Sequence, residues 1–132
     1  MGDDASPAGR LARSVGIDLA DVEEVRESVR AHGERYLKRV FTDAERRDCG
    51  TSARRLAQCF AAKEATMKAL ACRERLPWQS VAVDRDASGQ PAILLTGPAA
   101  QLARERGVRQ LAVSFSSVAA HAVAVVLATS GG

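Results

Sequence analysis

The chain has 132 residues, 46% apolar and 27% charged, with a net charge of +3. That is one globular domain's worth of sequence, and it is too apolar for wholesale disorder. Its basic residues lie in scattered pairs such as Arg46-Arg47 and Arg54-Arg55, not in the massed arm of a nucleic-acid binder. Cys49, Cys59 and Cys72 make an odd set without metal-ligand spacing. No apolar run is long enough to span a bilayer. A reduced, cytoplasmic protein with an anionic ligand or an acidic protein partner fits these bounds, and neither nucleic acid nor a membrane is expected as partner.

Residues 1–12 read as a flexible tail and 13–130 as the folded domain. The start matches a myristoylation pattern through Gly2 and Ser6. Two aspartates follow Gly2 with no basic patch beside it, so the match is read as chance, and the polar, acidic opening is unlike a secretory leader. Ser14-Val-Gly-Ile-Asp18-Leu reads as a strand ending at Asp18. Val22, Val25 and Val29 then fall on one helical face, with Gly33 as the stop. Thr42-Asp-Ala-Glu45 is a capping box for a short helix reaching Cys49, and Gly50-Thr-Ser52 breaks and recaps the chain.

The strongest helix is expected over Ala53 to Cys72. Leu56, Phe60, Met67 and Leu70 make one apolar stripe. Ala57, Ala61 and Ala71 make a second, in which Glu64 and Lys68 stand. Beyond Pro77-Trp78, Val81-Ala-Val-Asp and Ala92-Ile-Leu-Leu-Thr read as a hairpin around the turn Asp86-Ala-Ser-Gly89. Gly97-Pro98 opens a helix closed by Gly107. Strands follow at 110–116 and 120–129. The fold class is α+β, a mainly antiparallel sheet of three to five strands packed on a long central helix. Aromatic residues are only 4%, so the core must be built from Val, Leu and Ala, and subunit association would help it.

By pattern alone Asp18 reads first as a helix cap or a charge on the helix dipole, and only second as a metal ligand at a strand end. Glu64 and Lys68 read as a surface i,i+4 ion pair or as a carboxylate for Mg²⁺ beside an ammonium for phosphate. By themselves the two charges pass for the ion pair, but small neighbours let a ligand or backbone come close, and two charges in an alanine stripe need a reason. Lys63 falls on another helical face and is expected in solvent. Cys59 reads as a packing residue, and His32 and His121 as structural. Ser114, Ser116 and Ser117 form no nucleophile elbow.

Gly16-Ile-Asp18-Leu followed by Phe60-Ala-Ala-Lys-Glu64-Ala-Thr-Met-Lys68-Ala-Leu resembles the holo-[acyl-carrier-protein] synthases of the 4′-phosphopantetheinyl transferase superfamily. Arg39-Val-Phe-Thr42 with Glu45, Trp78-Gln-Ser-Val, Asp86-Ala-Ser-Gly-Gln-Pro and Val113-Ser-Phe-Ser extend the resemblance from about Val15 to Ala128. It implies Mg²⁺-dependent transfer of 4′-phosphopantetheine from coenzyme A to a serine of an apo acyl carrier protein, releasing adenosine 3′,5′-bisphosphate. It implies that Asp18 and Glu64 hold the metal and that Glu64 and Lys68 are catalytic. Lys68, Lys63 and Ser114 would touch substrate, in a homotrimer with active sites between subunits. The chain departs from the family where Cys59 replaces an arginine and where Ala112 and Ser117 replace histidines. Glu23 and Glu24 stand where the family's first helix is basic. These departures leave open a degenerate homologue that binds carrier protein or coenzyme A without transfer.

Overall fold

The computed structural model describes residues 13–131, so the tail at 1–12, with Gly2 and Ser6, lies outside the described residues. β1 (Arg13–Asp21) alternates strictly, with Gly16 and Ala20 buried and Val15, Ile17 and Leu19 exposed. It runs three residues past Asp18, because its antiparallel pairing continues to Asp21 opposite His121. Asp18 therefore lies within a strand and caps nothing. The cap is Asp21, whose carboxylate accepts the N–H groups of Glu23 (2.8 Å) and Glu24 (3.1 Å) at the head of α1 (Val22–His32).

Gly33, at φ 53°, closes α1 and opens α2 (Glu34–Val40). No side chain caps α2, which is why nothing in the sequence announced it. α3 (Asp43–Cys49) carries the full capping box of Thr42 and Glu45. Ser52 then accepts the Arg55 N–H at 3.2 Å and starts α4 (Ala53–Ala69). That helix stops three residues short of Cys72: Ala71 turns to φ 54° and the Cys72 N–H donates back to the Met67 carbonyl at 3.1 Å.

A 3₁₀ turn at Trp78–Ser80 leads into the hairpin of β2 (Val81–Arg85) and β3 (Pro91–Leu95). Its turn is knotted by Asp86, whose carboxylate accepts from Ser88 N at 2.9 Å and Gln90 N at 3.0 Å. α5 (Gly97–Glu105) follows, then β4 (Gln110–Val118) and β5 (His121–Thr129). The strands divide into two antiparallel sheets, β1-β5-β4 and β2-β3, where one sheet was expected. The α+β class and the central helix hold, since α4 packs on β1 and β5.

The core matches the poverty in aromatics. Ala122, Ala124, Val126 and Ala128 of β5 face Ala57, Ala61, Ala62, Ala65 and Ala69 of α4, all fully buried. Small side chains contribute little apolar area each, but they let helix and sheet come close. The closest approach is at Gly16. A Cβ there would overlap the Ala65 carbonyl and stand 2.7 Å from the Ala69 nitrogen, so only glycine admits this contact. Ala65 and Ala69 make the contact. Of the stripe expected to do so, Ala57 and Ala61 are buried elsewhere on the helix and Ala71 lies exposed beyond its end. Among the described residues no helix is long and apolar enough to cross a membrane.

Candidate active site

Gly16 and Asp18 lie two residues apart on the same face of β1, so the backbone contact at Gly16 fixes where Asp18 meets α4. Lys68 reaches down from the last turn of the helix. Its Nζ donates to Asp18 Oδ1 at 2.8 Å and to the Ile17 carbonyl at 3.3 Å. Glu64 lies one turn earlier on α4. The structure thus brings together the three residues that the sequence singled out.

The cluster is electrostatically incomplete. Partial burial pushes the Glu64 carboxyl above its ordinary range and the nearby Asp18 charge pushes it further, while Lys68 and Arg75 pull it back. The hydrogen bond from Lys68 to Asp18, with the Asp18 charge, holds the Lys68 ammonium above its usual value. Two carboxylates that repel each other across one ammonium form a place for further positive charge. All-oxygen donors suit a hard cation such as Mg²⁺, which takes one or two carboxylates and completes its shell with phosphate oxygens and water. Among the described residues no group of three or more His, Cys, Asp or Glu gathers. Asp18 and Glu64 fit the demand for one or two carboxylates.

Two grooves lie beside this cluster and join at Arg75 and Trp78. One, of about 380 Å³, runs along Glu64, Met67 and Lys68 and is walled by the loop Cys72–Leu76 and Trp78. The other, of about 240 Å³, lies between α1, α2 and α4, with Val25, Tyr36 and Phe60 in its lining and Arg39 at its edge. Arg75 and Trp78 line both. The Trp78 ring packs on Phe60 at 5.0 Å between centroids, which fixes the wall between the grooves. Arg75 and Trp78 were not among the site residues expected from sequence: they follow the strong helix in a stretch without periodicity.

The remaining expected residues fall elsewhere. Lys63 is not in solvent. It is fully buried, its Nζ bonded to Glu45 Oε1 at 2.8 Å, the Trp78 carbonyl at 3.0 Å and the Val81 carbonyl at 2.8 Å. Its ammonium is spent on tying α3, α4 and β2 together, so it offers no donor to a substrate. Ser114 sits opposite Val125, which sits opposite Ile17. Paired residues share a face, so Ser114 is on the open side of the sheet and Asp18 on the helix side. Within one chain it does not join the cluster.

Cys59 is buried as expected, its thiol pushed up by its hydrogen bond with Cys49 and by burial, so it is inert at neutral pH. Ser117 accepts a hydrogen bond from Gln58 Nε2 at 2.7 Å, while Ala112 is exposed on the open face. His32 ends α1, exposed. His121 has a carboxylate neighbour that sequence spacing did not reveal: its Nε2 stands 3.8 Å from Asp21 Oδ2, across the β1-β5 ladder.

Known proteins show the same arrangement of sequence and fold. Residues 14–126 match the family model of the 4′-phosphopantetheinyl transferase superfamily. The holo-[acyl-carrier-protein] synthase of Moorella thermoacetica is 43% identical over 119 residues, covering 87% of this chain and 92% of its own length. That of Koribacter versatilis is 38% identical over 117 residues, covering 85% and 94%. Among solved structures, the Chronobacterium ammoniagenes synthase in complex with coenzyme A superposes with a TM-score of 0.77 at 30% identity, over 90% of this chain and 98% of that one. The Helicobacter pylori synthase, also in complex with coenzyme A, gives a TM-score of 0.79 at 25% identity, over 87% and 99%.

Proposed function

The chain belongs to the 4′-phosphopantetheinyl transferase superfamily as a holo-[acyl-carrier-protein] synthase, and from that premise we propose how its own residues move 4′-phosphopantetheine from coenzyme A to a serine of an apo acyl carrier protein. The observation that carries the reading is the cluster of Asp18, Glu64 and Lys68, with Lys68 Nζ 2.8 Å from Asp18 and with Glu64 and Lys68 lining a groove of about 380 Å³.

Asp18 and Glu64 would hold Mg²⁺. When bound, the ion supplies positive charge against the diphosphate and its leaving group. Phosphoryl transfer needs little covalent help from protein; positioning and charge neutralisation dominate. Lys68 exchanges part of its contact with Asp18 for a phosphate oxygen, which its 55% exposed side chain is free to do. The serine oxygen bonds to the phosphorus that carries the pantetheine arm, and the bond from that phosphorus to the bridging oxygen breaks, releasing adenosine 3′,5′-bisphosphate. Glu64, one turn from Lys68 on α4, accepts the serine proton, directly or through a water.

The working unit in this proposal is a homotrimer, as the family resemblance implies. Val15, Ile17, Leu19, Val118, Val125 and Leu127 lie 36–66% exposed on the open face of the three-stranded sheet. An apolar face of this kind is normally covered, and other copies of the chain cover it here. The same face carries Ser114, which in an assembly borders a neighbouring subunit. The setting is the cytoplasm, where Cys49, Cys59 and Cys72 stay free.

The test is to incubate the protein with coenzyme A, Mg²⁺ and a panel of apo carrier proteins and follow carrier mass. Gain of phosphopantetheine by a carrier with the wild-type enzyme, and no gain with Glu64→Ala, is the expected result. Coenzyme A binding with no mass gain on any carrier would overturn transfer and leave the degenerate homologue.

A further inference from the structure

The loop that ends α4 holds charge for which the fold has no use. The left-handed turn at Ala71 reverses the chain, and Arg106 donates to the Ala71 carbonyl at 3.4 Å. The reversal carries Arg73 and Arg75 back along the groove that holds Glu64 and Lys68. Both arginines are exposed, and among the described residues neither makes a salt bridge, although the Arg75 charge is felt at Glu64; Lys68 is engaged by Asp18. Arg75 also lines the second groove, so it stands where the two join.

The charge at the site requires more cation than the cluster supplies. Asp18 and Glu64 cancel a divalent ion between them. Lys68 is then the only net positive charge within the cluster to face a diphosphate and a 3′-phosphate. An arginine fork matches phosphate oxygens two at a time and remains charged at every working pH.

Building on the transferase reading above, we propose that Arg75, with Arg73 beside it, is a substrate-binding clamp that grips a phosphate of coenzyme A at the junction of the two grooves. Trp78 is the chain's sole tryptophan and lines both grooves beside Arg75, so its fluorescence reports occupancy without any need for turnover.

The experiment titrates coenzyme A and dephospho-coenzyme A, in the presence of Mg²⁺, into wild type, Arg73→Ala, Arg75→Ala, Arg75→Lys and the remote control Arg104→Ala, reading Trp78 emission. Loss of a charge-assisted fork should weaken coenzyme A binding by about 10- to 100-fold in Arg75→Ala. Arg73→Ala should lose less, Arg75→Lys should recover part of the loss, and Arg104→Ala should match wild type. A loss confined to coenzyme A assigns Arg75 to the 3′-phosphate; an equal loss with dephospho-coenzyme A assigns it to the diphosphate. If Arg73→Ala and Arg75→Ala both bind within two-fold of wild type, the clamp is refuted while the transferase reading stands. If wild type itself binds no coenzyme A, the transferase reading fails first.

Discussion

Replacing Lys63 by methionine keeps most of the side chain's volume and removes its charge from a site where the lysine and Glu45 side chains are 0% and 1% exposed. Glu45 keeps two neutral donors, the N–H of Thr42 at 2.8 Å and of Val83 at 2.6 Å. It loses its only cation, and the carbonyls of Trp78 and Val81 lose theirs. Stranding one half of a buried ion pair costs about 3–5 kcal/mol. At roughly 2.1 cal/mol/K per residue, a chain of 132 residues has an unfolding entropy that turns this into a fall of about 11–18 °C in Tm. The assay is urea denaturation at fixed protein concentration, with Glu45→Gln and the double variant completing a cycle. Glu45→Gln should rescue Lys63→Met by about 1–3 kcal/mol, since it neutralises the stranded carboxylate. A cost below about 1 kcal/mol for Lys63→Met, with no coupling to Glu45, would refute the claim that this pair ties α3, α4 and β2 together.

Three further outcomes follow from the geometry. Gly16→Ala puts a methyl group into the Ala65 carbonyl; it should destabilise the fold by about 1–3 kcal/mol or more and slow transfer by about a hundred-fold through displaced Asp18–Lys68 geometry, and wild-type kinetics would contradict this. In metal-free protein, Glu64→Gln should raise Tm at pH 8. Because the folded-state pKa of Glu64 is raised, its ionisation opposes folding above that pKa and costs nothing below the ordinary glutamate value of about 4.3; the gain should therefore vanish in acid, and a gain persisting there would be wrong for this cause. Ile17→Glu, which places charge on the open sheet face, should lower the mass measured by light scattering, while an unchanged oligomer would remove that face as the interface.

The sequence showed the elements whose signals are local. The valine spacing of α1, the capping box of α3 and the Asp86–Gly89 turn all gave their elements directly, because each is made by residues a few positions apart. α2 was missed because its start has no capping side chain, only a glycine at positive φ shared with α1. Glu64 and Lys68 stood out on an alanine stripe, Asp18 at a strand end, and all three through the family pattern; the fold brings them together.

Lys63 was misplaced for a different reason. Beside Glu64 in sequence, it lies on a different face of α4, turned toward α3 and β2, and its partner Glu45 looked fully occupied by its own capping box. Glu45 has two carboxylate oxygens and uses both, one on Thr42 and Lys63 and the other on Val83. Contacts of that range cannot be read from spacing. The same holds for Arg75 and Trp78, which matter only because the chain reverses at Ala71.

The central claim is a divalent ion held by Asp18 and Glu64 on the coenzyme A diphosphate. Mn²⁺ in place of Mg²⁺ makes it directly measurable, since the electron paramagnetic resonance signal of the free ion disappears on binding. With coenzyme A present, and uptake by coenzyme A alone subtracted, wild type should take up one Mn²⁺ per site, and Asp18→Asn and Glu64→Gln should take up little or none. Equal uptake by all three proteins would contradict the account.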